Sequence, residues 1–157
     1  MPRRQYKHRK AHIDPVYDSY EVSKLISYVM KDGKRSVAEQ IVYSTLTSLQ
    51  DEDNDPLVTL SKAVSNVTPE KEVRPRRLGG ASYLVPTDLR ENRKIYLALN
   101  WIIEAAQARS NKEFHSFDVK LAAEIKEAAK RQGAAFAKRQ QTEKLASQNR
   151  AFSHLKW

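Results

Sequence analysis

A mainly α-helical single domain is predicted: a bundle of about six helices with a protruding β-hairpin and a basic N-terminal arm. Three observations predict it. Apolar residues recur at helical spacing through most of the 157 positions; a stretch at about 72–87 switches to Val, Arg, Tyr and Pro around Gly79-Gly80; and residues 1–12 hold five cations and no acid. The expected layout is therefore an arm at 1–12 and a helical domain at 13–157 that includes the ribbon. A chain of this length buries roughly 68–70% of its unfolded surface, enough for a core without staples.

The elements follow in order. Asp14-Pro15 marks a turn, and Asp18 with Glu21 has the spacing of a capping box opening the first helix. Val22, Leu25, Ile26, Val29 and Met30 form one face of it, and Asp32-Gly33 ends it, with Gly33 at the left-handed C-cap. A second helix buries Val37, Ile41, Val42, Thr45, Leu46 and Leu49, and the acidic run Asp51-Glu52-Asp53-Asn54-Asp55 closes that helical hairpin. Asp55-Pro56 supplies an N-cap and a proline at the first helical position for a third helix, whose apolar side is Leu57, Leu60, Val64 and Val67.

Pro69 stops the helical pattern. With Gly79 and Gly80 as central turn residues, Leu78 opposes Ala81 and Arg76 opposes Tyr83, so Arg74, Arg76, Tyr83 and Val85 share one face. Pro75 and Pro86 block further strands, and the small apolar surface of the ribbon predicts that it projects from the body. Asp88 and Glu91 repeat the capping-box spacing before a long helix with Ile95, Leu99, Ile102, Ile103 and Ala106 inward and Tyr96 and Trp101 off the stripe. Ser116 caps a fifth helix carrying Phe117, Leu121, Ile125 and Ala128 that ends at Gln132-Gly133. A sixth, from Ala134 to about Phe152, has too thin an apolar stripe for an ordinary core helix.

Composition excludes several classes of function. With no cysteine, there is no disulfide framework, Cys-based zinc site or thiol nucleophile, and a reducing compartment fits. No apolar run reaches about 18 residues, so no membrane span is expected, and Met1 to His12 holds no signal-peptide core. The net charge of +9 is unevenly distributed. Residues 13–70 carry five cations against ten acids and residues 95–125 three against four, whereas residues 71–94 carry seven against three and residues 126–157 eight against two. Two segments read as scaffold and three, counting the arm, as anion-binding surface, which points to a nucleic acid first and an anionic membrane surface second.

The ribbon carries the most informative constellation, Arg74, Arg76 and Arg77 with Tyr83. Guanidinium groups match phosphates bidentately and stack on bases, and tyrosine adds a π face. Keeping an edge strand soluble is the bland alternative, and three arginines within four residues exceed that need. Other chemistry fails on spacing. Asp51, Asp53 and Asp55 imitate a calcium loop, but Pro56 stands at its glycine and Lys62 at its glutamate position. Gly33-Lys34-Arg35 lacks the earlier glycine and the hydroxyl of a phosphate loop. His8 and His12 lie in a cationic arm, Asn66-Val67-Thr68 falls at a helix end, and no Ser/His/Asp grouping or carboxylate pair stands out. Nothing points to catalysis, a metal or a cofactor.

The run Val73-Arg74-Pro75-Arg76-Arg77-Leu78-Gly79-Gly80-Ala81-Ser82-Tyr83-Leu84-Val85-Pro86 resembles the hairpin of the bacterial-type family of small-subunit ribosomal protein seven. The resemblance runs the whole length. Asp32-Gly33-Lys34-Arg35 with Ile41-Val42 and Thr45 is similar to the family signature, and Gly133-Ala134-Ala135, Lys138-Arg139 and the ending Ala151 to Trp157 are similar to its C-terminal helix and tail. The arm and Lys112-Glu113-Phe114-His115 depart from the pattern.

The resemblance implies a non-enzymatic ribosomal protein that binds small-subunit rRNA, nucleates assembly of the head, and lies near the exit-site tRNA and mRNA. Neighbouring small-subunit proteins nine and eleven are its implied partners, a cytoplasmic or organellar ribosome its location, and no cofactor or membrane is involved. Carried over by position, the implied rRNA contacts are Arg3, Arg4, Lys7 and Lys10 in the arm, Lys34 and Arg35 in the first link, Arg76, Arg77 and Tyr83 in the ribbon, Arg93 and Lys94 in the fourth helix, and Lys138 and Arg139 in the sixth. Arg74, Arg76, Arg77, Gly79, Gly80 and Tyr83 are the implied tRNA- and mRNA-proximal set. A helical DNA-binding or transcription-associated module is the alternative, though it needs a base-reading helix, and the densest basic cluster here is on a ribbon. An RNA-modifying enzyme would need a cofactor loop or catalytic cluster, and neither is visible.

Overall fold

The protein is described by a computed structural model covering residues 12–50 and 55–155. The arm contacts assigned to Arg3, Arg4, Lys7 and Lys10, and the acidic turn at Asp51 and Asp53, lie outside the described residues. Six α-helices, one antiparallel hairpin and a 3-10 segment make up the rest, in the order α1 (Tyr20–Val29), α2 (Arg35–Leu49), α3 (Pro56–Val67), β1 (Lys71–Leu78), β2 (Ala81–Asp88), α4 (Glu91–Ala108), α5 (Phe117–Ala129), α6 (Gly133–Gln148) and the 3-10 segment Arg150–Leu155. None of the described helices is long and apolar enough to cross a membrane.

Helix starts differ from expectation wherever a carboxylate has other work. Ser19, not Asp18, caps α1, its hydroxyl accepting from Val22 N at 3.5 Å. Asp18 instead adopts φ +47°, a left-handed conformation that a short polar side chain tolerates. The turn before it is organised by Asp14, almost wholly buried, whose carboxylate accepts from Val16 N (3.1 Å), Tyr17 N (3.0 Å) and the Tyr43 hydroxyl (2.8 Å). Asp88 likewise is not the N-cap residue: it ends β2 opposite Lys71, and α4 begins at Glu91 with Arg90 as a cap that offers no side-chain bond. Asp55 does cap α3, accepting from Leu57 N at 2.9 Å with Pro56 behind it. Ser116 takes the N-cap position of α5, its carbonyl accepting from Lys120 N at 3.3 Å while its side chain makes no bond to the helix backbone.

The hairpin has the expected register, Leu78 opposite Ala81 and Arg76 opposite Tyr83, with Gly79 and Gly80 at φ +55° and +91° in the turn. Both values require glycine or a rare substitute. The tip stands clear, since a Cβ on either glycine would meet nothing within 4 Å. The base does not: Val85 is fully buried, Pro86 is buried, β1 packs on α6, and β2 packs on the 3-10 segment. Tyr83 and Phe152 meet with ring centroids 5.4 Å apart. The sixth helix thus stops at Gln148 rather than Phe152, because the tighter 3-10 turn is what brings Phe152 onto the ribbon.

One core joins the helices, built from Val22, Leu25 and Ile26 of α1, Val42, Leu46 and Leu49 of α2, Leu60 and Val64 of α3, Leu99 and Ile102 of α4, and Leu121 and Ile125 of α5. Apolar patterning misplaces a few residues. Trp101 is buried, because α6 covers that side of α4 and Lys138 lies over its ring at 5.9 Å. Val37 is 51% exposed on the first turn of α2, and Ala38 packs in its stead. Met30 reaches 36% exposure because α1 has ended at Val29 and the chain there is extended. Gly33, at φ +73°, therefore turns the link between α1 and α2 and does not cap α1.

Between α5 and α6 the chain reverses through Lys130, Arg131 at φ +60° and Gly133 at φ +89°, so α5 ends at Ala129, before the expected Gln132-Gly133. Asn66 of α3 closes that end, its amide donating to the carbonyls of Ala128 (3.1 Å) and Ala129 (2.9 Å), and Arg139 of α6 donates to the Asn66 carbonyl at 2.7 Å. The glycosylation-like triplet is thus a helix-packing device. Gly133 leaves little room for a side chain: a Cβ would lie 3.0 Å from Glu124 Oε1 and 3.0 Å from Glu127 Oε2, and both carboxylates would have to yield.

Gly133→Ala combines a left-handed backbone with that close approach, and is expected to lower unfolding free energy by about 2 kcal/mol in a denaturant titration. Burial first, then the bond to Asp14 and its charge, push the Tyr43 hydroxyl up to about 12 from 10.0. Because the folded value is the higher one, stability is constant below the ordinary tyrosine value and falls as pH rises from about 10 to 12. Phenolate absorbance should show a component that titrates at about 12, later than the raised Tyr28, and Tyr43→Phe should remove it.

Candidate nucleic-acid interface

The cations marked by the sequence fall into distinct environments, set by the elements that carry them. On the ribbon, alternation along β1 and the register with β2 place Arg74, Arg76, Tyr83 and Val85 on one face and Arg77 on the other. Arg77 is exposed, Arg76 and Tyr83 are half-buried, and Gly79 and Gly80 form the exposed tip.

At the base of the ribbon the carboxylate of Glu72 joins two of these elements. Its Oε1 accepts from Arg74 Nε at 2.6 Å, and its Oε2 accepts from Arg93 of α4 at 3.3 Å (Nε) and 3.1 Å (Nη2). Arg93 also lies over the Tyr96 ring at 5.1 Å, and Tyr96 meets Tyr28 of α1 edge-on at 5.4 Å. Ribbon, α4 and α1 are thereby connected through one chain of charged and aromatic groups. Lys94, one residue on, donates to Glu91 at 2.8 Å, and this bond holds its ammonium above the ordinary lysine value.

Lys34 and Arg35 occupy the link before α2. Arg35 donates to Glu39 one turn on at 2.7 Å, which raises its already high value further. Lys34 and Lys31 flank an apolar hollow of about 300 Å³ lined by Val29, Val37, Ile41 and Phe117. On α6, Lys138 pairs with Glu104, and Arg139 is largely engaged internally, with Glu143 at 3.0 Å and the Asn66 carbonyl. A mixed-charge groove of about 640 Å³ runs along the junction of α6, the 3-10 segment and the ribbon base, lined by Lys71, Arg139, Glu143 and Arg150.

The structure therefore brings Arg74 and Arg93 together through Glu72, and sets Lys34 and Arg35, and Lys138 and Arg139, on other elements. Sequence reasoning missed Glu72 and Arg90, and it missed Phe152 as the partner of Tyr83. The signal for Glu72 was present: it is the one acid between Lys71 and Asp88, in a stretch otherwise cationic. Among the described residues no group of three or more His, Asp or Glu side chains could hold a metal ion.

A helical body with a glycine-turned basic ribbon is matched over residues 1–150 by the family model described as ribosomal protein S7p/S5e. Among curated proteins, the chain is 45% identical over 158 residues to the small ribosomal subunit protein uS7 of Pseudothermotoga lettingae, covering the whole of both chains. It is 44% identical over 159 residues to the protein of that name from Thermoanaerobacter pseudethanolicus, and 46% over 159 residues to that of Dictyoglomus thermophilum, again over the full length of each. With its ribbon, its link and its C-terminal helix all falling within that match, the chain belongs to the ribosomal protein S7p/S5e family.

Proposed function

We propose that this chain is a non-enzymatic constituent of the small ribosomal subunit that binds small-subunit rRNA directly, takes part in assembling the head, and presents its ribbon toward the exit-site tRNA and mRNA. Small-subunit proteins nine and eleven are its protein neighbours in this reading. The observation that carries it is the ribbon: a two-stranded arm with an open glycine tip and an exposed Arg77, with Arg76 and Tyr83 half-buried behind it, on a chain matched to the family over nearly its whole length. Phosphate contacts position such a protein, and exposed aromatic and guanidinium planes engage unstacked bases.

The division of labour follows from burial. Arg93 and Lys94 sit on the rigid first turn of α4 and Lys34 and Arg35 in a tight link, which suits docking on folded RNA. Arg77, Gly79 and Gly80 lie at the exposed end of the ribbon, which suits contact with a mobile ligand such as tRNA or mRNA. Arg139 contributes chiefly to holding α6 against α3, while Lys138 keeps an exposed ammonium.

The deciding experiment compares the full chain on head-domain rRNA, an unrelated structured RNA and duplex DNA. Head-domain rRNA should bind most tightly, with affinity falling on the order of a thousandfold between 50 and 200 mM salt for six to ten phosphate contacts. Equal binding to all three would defeat the proposal, and a preference for duplex DNA would favour the DNA-binding alternative. In reconstituted subunits, Arg76→Ala with Arg77→Ala should weaken exit-site tRNA or mRNA positioning more than head assembly, and equal loss of both would contradict this division.

A further inference from the structure

Glu72 is out of place on a surface built to attract anions. It is only 9% exposed, yet the two guanidinium groups it holds are outward-facing, with side chains 52% (Arg74) and 43% (Arg93) exposed. Each carboxylate oxygen takes one arginine: Oε1 takes Arg74 of β1, and Oε2 takes Arg93 of α4. Arg90, exposed at the head of α4, completes a hollow of about 380 Å³ whose lining is Arg74, Asp88, Leu89, Arg90 and Arg93. The acid in that lining, Asp88, faces Lys71 across the ladder at 3.9 Å.

A guanidinium carries five N–H donors in a planar fork, so binding one carboxylate oxygen leaves donors for a second anion. The Glu72 bond occupies Nε and one terminal nitrogen of Arg93, whose guanidinium carbon lies over the Tyr96 ring at 5.1 Å. Both long side chains are thus held in one conformation before a ligand arrives, and the rotamer freedom lost on binding is smaller. Three arginines and no unpaired carboxylate of this group face the hollow, which is large enough for a phosphate with its flanking sugars.

We propose that Arg74, Arg90 and Arg93 form a cradle for an RNA backbone phosphate where the ribbon meets α4, and that Glu72 is its positioning residue. This rests on the RNA-binding reading above and names a site within it. The proposal makes a prediction opposite in sign to simple electrostatics. Removing a negative charge from an RNA-binding surface should tighten binding if charge alone matters. If Glu72 acts by holding the two arginines, its neutral isostere weakens binding despite the added net positive charge.

The test measures affinity of the full chain for head-domain rRNA at fixed salt, with thermal unfolding as a control on folding. Glu72→Gln should weaken binding about three- to tenfold. Unchanged or tighter binding would overturn the proposal. In an Arg74→Ala, Arg93→Ala background the same substitution should no longer weaken binding, and a loss as large as in the parent would overturn the positioning role. Should Glu72→Gln prove too unstable, Arg74→Lys with Arg93→Lys keeps the charge and removes the fork: weaker binding is expected, and parental affinity would overturn it. Replacing Arg74, Arg90 and Arg93 together with Ala should reduce the slope of log affinity against log salt by about two to three, and an unchanged slope would sink the cradle. Wild-type preference for head rRNA is read first. Its absence defeats the RNA reading and the cradle together, whereas its presence with no effect of Glu72→Gln defeats the cradle alone.

Discussion

Glu124 lies in the interior at 1% exposure, where an unpaired carboxylate would be strongly destabilising, and the way it is matched determines how the C-terminal half is arranged. Arg109, just past the end of α4, donates to its Oε2 at 3.0 Å (Nε) and 2.6 Å (Nη2), and also reaches Glu127 at 2.5 Å. The other carboxylate oxygen accepts from Ala135 N in the first turn of α6 at 3.1 Å. Burial alone would pull the Arg109 value down, yet Glu127 and Glu124 outweigh it and leave the guanidinium more firmly charged than usual. Lys120 adds a bond to the Arg109 carbonyl at 2.6 Å, so the turn itself is held at both ends. Three helices meet on this one buried carboxylate.

That junction matters because α6 has little else to place it. Only Ala135 and Ala146 of its residues are buried, and at about 25 cal/mol per Å² two alanine side chains contribute little orienting energy. Directional bonds take over: Glu124 at its start, the Asn66–Arg139 contact in its middle, and Glu104 with Lys138 against α4. Once set, α6 and the 3-10 segment after it form the surface on which the ribbon base rests, with Phe152 against Tyr83. The aim of the ribbon therefore depends on a charge pair far along the chain.

Many cations that composition assigns to a ligand are already bonded within the chain. Arg35 has Glu39, Lys94 has Glu91, Lys138 has Glu104, and Arg74 and Arg93 share Glu72. The exposed pairs among these contribute little to stability. Their value lies in geometry, since a bonded guanidinium or ammonium on a rigid element meets a phosphate with less motion left to lose. A charge count along the sequence registers such a residue as a neutralised cation, whereas its remaining donors still face outward.

Much of this protein was readable from residue order alone, because the governing forces are local. Helix periodicity located the core of α1, α3 and α5, Asp55-Pro56 marked the start of α3, and Gly79-Gly80 set the hairpin register, since each depends on neighbours within a few positions. The charge segments and the ribbon arginines were legible for the same reason. What local pattern could not reach were the roles decided by partners distant in sequence. Asp18 and Asp88 have the spacing of capping residues, but a turn organised by Asp14 and a strand ending opposite Lys71 claimed them. Trp101 lies off the apolar stripe of α4, yet α6 covers it, and Glu72 gains its role only where α4 brings Arg93 to its other oxygen. Periodicity and turn chemistry act within a few residues, so the sequence carries them openly; a buried carboxylate finds its arginine only when packing has brought two remote segments together, and that settled the aim of the ribbon and the grouping of its cations.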